Sequence, residues 1–317
     1  MANQFRTLDS HSAEHFGDTR DHWWNLDFLE LMARRLSFDR VRDVLDVGCG
    51  VGHWGRLLAQ VLPATARVQG VDRDPHWVEH AAARVSGLGG RFSYQVAVAE
   101  RLPFADASFD LVTCQTVLIH APDPGAVIDE MIRVTRPGGL LLAAEPNNIA
   151  NALVFDSVNF HDPVDEVVAR VRLQLICERG KAALGEGHNS IGDLLPGLFA
   201  ERNLGDVCAY QNDKTNVVLP PYDTPAQRAM LEERADLKDR GFWIWSRDDT
   251  RGYFLAGGGR DNEFDALWSA AIGGSDRVDR AIAERTYGGA GGGISYLIAG
   301  RKPATSVEGS AREPKGY

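Results

Sequence analysis

Between residues 40 and 145, short apolar runs alternate with stretches of helical spacing, and this alternation limits the fold more than any other feature of the chain. Val44-Leu45-Asp46-Val47 reads as a buried strand, followed by a glycine cluster and a helix over 54–62. A strand over 68–72 leads into a helix opened by Asp74-Pro75, where proline suits the first turn. Strands over 92–98 and 109–115 follow, then a helix opened by Asp123-Pro124 and stopped by Pro137-Gly138-Gly139, then a strand over 140–144. Continuously apolar strands spaced by helices signal a mainly parallel sheet covered on both faces. The fold class is α/β.

The flanks enlarge this unit rather than add a second one. Trp23, Trp24, Leu26, Phe28, Leu29, Leu31, Met32 and Leu36 suit a helix, giving an N-terminal helical lid over about 10–38. Beyond the core at about 40–148, Val164, Val167, Val168, Val171 and Leu175 recur at helical spacing. Further strands are expected over 206–219 and 294–299, bringing the sheet to seven strands. A cap insertion precedes each of them, at about 149–189 and at about 221–290. Because the chain returns to the same sheet after each, residues 1–302 are expected to form one domain, with 303–317 a disordered tail.

Composition narrows the partners. Lys plus Arg is 34 against 44 for Asp plus Glu, a net charge of −10. That field opposes nucleic-acid binding and anionic membrane surfaces, so neither is expected as a partner. No apolar run reaches the length of a membrane span, and the first residues lack a signal-peptide core. Cys49, Cys114, Cys177 and Cys208 show no CxxC spacing, which argues against a metal site and suits a reducing cytoplasm.

The densest chemical signal is Asp46-Val47-Gly48-Cys49-Gly50-Val51-Gly52, at a strand end and leading into a helix. Glycines there permit a sharp turn and close approach of a ligand to the backbone. Gly50-Val51-Gly52-His53-Trp54-Gly55 formally matches the dinucleotide pattern GxGxxG, and Asp72 ends the next strand, placed to accept from ribose hydroxyls. NAD and an adenosyl ligand without phosphates both remain open on these residues. Asp46, at the mouth of the loop, would repel a pyrophosphate and favour an ammonium group.

Further motifs follow in order: Gly70-Val71-Asp72, Ala99-Glu100-Arg101-Leu102-Pro103-Phe104, Ser108-Phe109-Asp110-Leu111-Val112, His120-Ala121-Pro122-Asp123-Pro124 and Arg136-Pro137-Gly138-Gly139-Leu140. With the acidic GxGxG loop, this series resembles the class I methyltransferases that use S-adenosylmethionine (SAM). Within them it is similar to the small-molecule branch containing ubiquinone- and menaquinone-type C-methyltransferases. The resemblance covers about a third of the chain and implies a Rossmann-like sheet, SAM as cofactor and S-adenosylhomocysteine (SAH) as product. By position it implies that Asp46, Gly48, Gly50 and Gly52 hold the methionine portion. Asp72 with Arg73 would face the ribose, and Ala99, Glu100 and Gln115 would complete the cofactor site. Where the family often carries Gly-Asp-Ala, this chain has Ala97-Val98-Ala99, so the expected acid near the adenine is Val98.

Methyl transfer from a sulfonium needs alignment and exclusion of water more than a catalytic triad. Glu145 and His161 are candidate general bases or substrate anchors. Trp23, Trp24, Asn147, Trp243 and Trp245 are candidates for an acceptor pocket, and their aromatic bias suggests a planar indole- or phenol-like metabolite methylated on C, N or O. An NAD(P)-dependent oxidoreductase and a non-catalytic SAM-binding protein are the alternatives.

Overall fold

A computed structural model describes residues 18–304, apart from 89, 291 and 292. The expected tail over 305–317 and the first part of the lid lie outside the described residues. A 3-10 turn (Asp18–His22) leads into α1 (Leu26–Arg35). Then β1 (Asp43–Val47), α2 (His53–Leu58), β2 (Arg67–Asp72), α3 (Pro75–Arg84) and β3 (Phe92–Val96) alternate. They are followed by β4 (Phe109–Gln115), α4 (Pro124–Val134) and β5 (Thr135–Asn147). The helices α5 (Asn148–Asn151), α6 (Val164–Ala183) and α7 (Leu195–Glu201) precede β6 (Gly205–Gln211). The helices α8 (Pro225–Asp239), α9 (Arg247–Ala256), α10 (Asp261–Ile272) and α11 (Ser275–Ala283) precede β7 (Ile294–Arg301).

Local chemistry starts these helices where the sequence marks them. Asp74 accepts from the His76 amide and Asp123 from the Ala126 amide, each with proline at the next position. Thr224 and Gln227 form a reciprocal capping box at the head of α8.

The sheet has seven strands in the order β3-β2-β1-β4-β5-β7-β6. β1 to β5 are parallel, while β7 runs antiparallel to both β5 and β6. One face buries Leu45, Val112, Leu141 and Ile298 against Ile128 and Met131 of α4 and Phe199 of α7. The other buries Val44, Leu111, Leu142 and Leu297 against Leu29 and Met32 of α1 and Trp54 and Leu58 of α2. A separate apolar cluster holds the cap together: Leu173, Cys177, Trp245, Tyr253, Phe254, Phe264 and Trp268.

Three expectations shift. The long strand expected over 206–219 ends at Gln211, and of its second half only Val218 pairs, through an isolated bridge to Gly289. The expected N-terminal helix begins at Leu26, leaving Trp23 and Trp24 on the connector before it. β5 begins at Thr135, so Pro137 sits within a strand instead of stopping a helix. Proline is tolerated there because β7 pairs with β5 only from Leu140 onward.

Candidate active site

The strand order reverses between β1 and β4, and an open α/β sheet presents its ligand crevice beyond the strand tips at such a point. The β1–α2 loop turns there through Gly48, Gly50 and Gly52 at φ 65°, 49° and 77°. A side chain at Gly48 would collide with Val117, and one at Gly52 would stand 2.7 Å from the Tyr94 hydroxyl, so positive φ and close contact both demand glycine. The Cys49 amide pins the loop to the Val71 carbonyl at 2.9 Å.

Asp72, half-buried at the tip of β2, accepts from the Gly50 amide (2.9 Å) and the Asp74 amide (3.0 Å). Its carboxylate keeps lone pairs beyond those two bonds. Arg73 beside it is exposed. Past β3, Ala99 packs half-buried against the core, whereas Glu100 and Val98 are exposed.

Asp46 differs from the expectation. It lies beneath the loop, 1% exposed, with Oδ2 accepting from the Gly55 amide at 3.0 Å and Oδ1 enclosed without a partner among the described residues. Burial pushes its pKa up to about 7. In this conformation it braces the first turn of α2 and offers no open carboxylate to a methionine ammonium.

At the tip of β4, Gln115 is half-buried, and Thr116 takes a left-handed conformation (φ 53°) while its amide bonds the Ala144 carbonyl at 2.9 Å. A β-branched residue in that region is strained, and such strain collects at functional sites. From Gln115 and Thr116 a cavity of about 590 Å³ runs outward under the cap. Trp23, Trp24, Phe242, Trp243 and Trp245 line it, so the expected tryptophans meet there although they lie far apart in sequence. Trp243 and Trp245 contact edge to face, with centroids 6.5 Å apart.

Three expected residues do not line this cavity. Glu145 is fully buried and already committed: Oε1 accepts from the Val117 (2.8 Å) and Leu118 (2.9 Å) amides and Oε2 from the Ile119 amide (3.4 Å). It caps the 3-10 turn Leu118–His120, with its pKa raised to about 7 by burial. A base in that position has no path to an acceptor. Asn147 caps α5 and donates to Asp193 at 2.6 Å; its neighbours Asn148 and Asn151 line the cavity instead. His161 is exposed beside Phe160, away from the cavity.

Glu233, which the sequence did not single out, lines the cavity, as do Thr116 and His120. Lys181 of α6 is wholly buried behind it and donates to the Ile119 carbonyl at 2.8 Å, tying the cap to the β4 tip. Burial lowers its pKa to about 8, against the opposing pull of Glu186, Glu178 and Glu145. The helical spacing of α6 held no sign of that contact. Thr116 directly follows a strand, the place where an open α/β sheet meets its ligand.

Residues 45–143 match the family described as a methyltransferase domain. Methyltransferase GfsG of Streptomyces halstedii is 41% identical over 116 residues, covering 37% of this chain and 42% of the relative. Demethylmenaquinone methyltransferase of Geobacillus kaustophilus is 34% identical over 122 residues, 38% of this chain and 52% of the relative. The chain thus spans about half the length of the curated relatives it matches. Among solved structures, the YcgJ protein of Bacillus subtilis aligns over 88% of this chain and 99% of its own, at 17% identity and TM-score 0.47. Residues 45–143 are thus similar to methyltransferase domains, and quinone-type methyltransferases are among the proteins this part of the chain resembles.

The cofactor of that family is SAM, and the residues present suit it. The loop without side chains at Gly48, Gly50 and Gly52 adjoins a half-buried carboxylate, Asp72, with lone pairs left for hydroxyl donors. The dinucleotide alternative from the glycine pattern gives way to SAM. No group of three or more His, Cys, Asp or Glu that would hold a metal occurs among the described residues.

Proposed function

We propose that this chain transfers a methyl group from SAM to a small aromatic or heteroaromatic metabolite, indole- or phenol-like, on carbon, nitrogen or oxygen. The observation that carries this reading is the cavity. Five aromatic side chains line it, and it reaches Gln115 and Thr116 at the tip of β4, where the next residue, Val117, packs on Gly48 of the glycine loop. Aromatic walls with a few polar groups suit a flat acceptor of modest size. The relative from Geobacillus kaustophilus is named for a demethylated quinone, which is consistent with a ring acceptor.

SAM, when bound, supplies a sulfonium methyl whose leaving group departs as a neutral thioether. The protein's part is then positional. Asp72 and the glycine turns hold the cofactor's ribose and methionine ends, and Gln115 and Thr116 form the wall where donor meets acceptor. The tryptophans exclude water and fix the plane of the ring, which is where alignment gains its rate advantage. No described carboxylate or imidazole is needed to activate the methyl group itself.

All four cysteines are free thiols, and no helix among the described residues is long and apolar enough to cross a membrane. A role in specialised metabolism in the cytoplasm fits these features. The test is incubation with methyl-labelled SAM and a panel of indoles, phenols and quinols, followed by mass spectrometry of the products. A labelled ring product is expected. Saturable SAM binding with no product from any ring acceptor would favour a SAM-binding role without turnover, and NADH binding in place of SAM would remove the reading altogether.

A further inference from the structure

Four residues lining the cavity each carry a polar atom shut off from solvent with no hydrogen-bond partner among the described residues. They are Trp24 Nε1, Asn189 Nδ2, Asn216 Oδ1 and Glu233 Oε1. Folded proteins leave few buried polar atoms unpaired, so their gathering around one cavity marks where a ligand completes the pairing. The two amides exchange donor and acceptor when a carboxamide flips. The other two do not: an indole N–H only donates, and an ionised carboxylate only accepts. Trp24 and Glu233 therefore set the polarity that a ligand must match.

Glu233 is the one carboxylate among the described lining residues, and it lies on α8 of the cap, which packs against the 3-10 turn of the connector that carries Trp24. The Thr19 hydroxyl, the Arg20 guanidinium and, on its own helix, Asp236 stand around it. Arg20 also lies near enough to Asp72 to feel its charge, so a single cation balances the carboxylates of the cofactor side and the cap side. Burial raises the pKa of Glu233, the usual mark of a carboxylate short of partners.

We propose that Glu233 selects the methyl acceptor: Oε1 accepts a hydrogen bond from an N–H or O–H on the ring, while Trp24 Nε1 donates to an oxygen or nitrogen of the same molecule. The proposal rests on the methyltransferase reading and sharpens it, because it names the feature that an acceptor must carry. A ring lacking a donor leaves the carboxylate unpaired in the closed site, and sites built around a hydrogen bond reject such analogues strongly. A hydrocarbon acceptor is excluded on the same ground.

The test uses the full chain saturated with SAH at pH 8, titrated calorimetrically with two probe pairs that differ by one donor hydrogen: indole against 1-methylindole, and phenol against anisole. In at least one pair the donor-bearing probe is expected to bind about tenfold or more tighter. Glu233→Leu brings that ratio below about threefold and leaves SAM affinity within about twofold, while Glu233→Gln, whose amide oxygen still accepts, falls between. Should Glu233→Leu lose its fold, the fall of the ratio in Glu233→Gln decides. Equal affinity within both pairs, binding of none of the four probes, or a ratio that persists in the variants overturns the proposal. Failure of the unaltered protein to bind SAM overturns the methyltransferase reading and the proposal together, whereas SAM binding without probe discrimination overturns the proposal alone.

Discussion

Two carboxylates, one on β2 and one on β5, are used in opposite ways. Asp72 stays half-open to the crevice, with only two backbone amides upon it. Replacing it with alanine should weaken SAM binding by about 1–3 kcal/mol, the cost of leaving ribose hydroxyls without an acceptor. Calorimetry on Asp72→Ala checks this, and an unchanged affinity would take Asp72 out of the ribose contact. Glu145, by contrast, is enclosed and holds a turn together. Its pKa in the fold, about 7, lies above the ordinary glutamate value of 4.5, so between those values the folded chain holds the proton more tightly than the unfolded one. Its contribution to stability is therefore fullest below the lower value and declines as pH rises through the upper. Denaturant unfolding of Glu145→Gln across that window should show a flatter decline of stability with rising pH than the unaltered chain. An identical slope would mean that another group, Asp46 first among them, carries the effect. The position of Asp72 was legible because a strand's last residue has a fixed place relative to the loop beside it. Burial of Asp46 was not, since it depends on how closely Gly55 approaches. Nor was Glu233: on a helix rich in charge it reads like any solvated acid until the cap closes over it.

Among the elements, the parallel strands were readable because burial on both faces leaves them continuously apolar. The cap was harder. Its long helix α6 crosses α9 at a point where glycine meets glycine: a side chain on Gly180 would overlap the Tyr253 carbonyl, and one on Gly257 the Ile176 carbonyl. Backbone contact of that kind leaves no periodic trace in sequence, so only the two aromatic clusters hinted at a cap core. Gly180→Ala should force the helices apart and destabilise the chain by about 1–3 kcal/mol or more, the usual penalty for overpacking. Thermal unfolding reads that loss. A variant melting with the parent would mean that α6 and α9 separate without strain. The tail of the expected sixth strand was misread because polar residues after Gln211 face the cavity, where Asn212, Lys214 and Asn216 take up a lining role instead of a ladder.

Over the whole molecule, the connector from Asp18 to Trp24 joins cofactor side to cap. Asp21 pairs with His53 at 2.7 Å, and Trp24 packs on Trp54 with centroids 5.2 Å apart. A ligand bound at the glycine loop should thus stabilise the molecule as a unit. SAH at a hundred times its dissociation constant should add about 2.7 kcal/mol, raising the melting temperature by roughly 4 °C for a chain of this length. Differential scanning calorimetry with SAH and with NADH distinguishes the two ligands, and no shift with SAH would contradict this cofactor site.

The sheet's own connectivity has a bearing on synthesis. β5 pairs on one side with β4, but its other edge is closed by β7, which the ribosome delivers roughly 150 residues later. At ordinary elongation rates of about 5–20 residues per second, that edge stays unpaired for roughly 7–30 seconds. Meanwhile the emerging chain displays an apolar strand, Leu140–Ala144, with free amides and carbonyls, a template for aggregation that the cell must shield. Translation speed through the cap segments, and the supply of chaperones during it, therefore bear directly on the yield of folded protein.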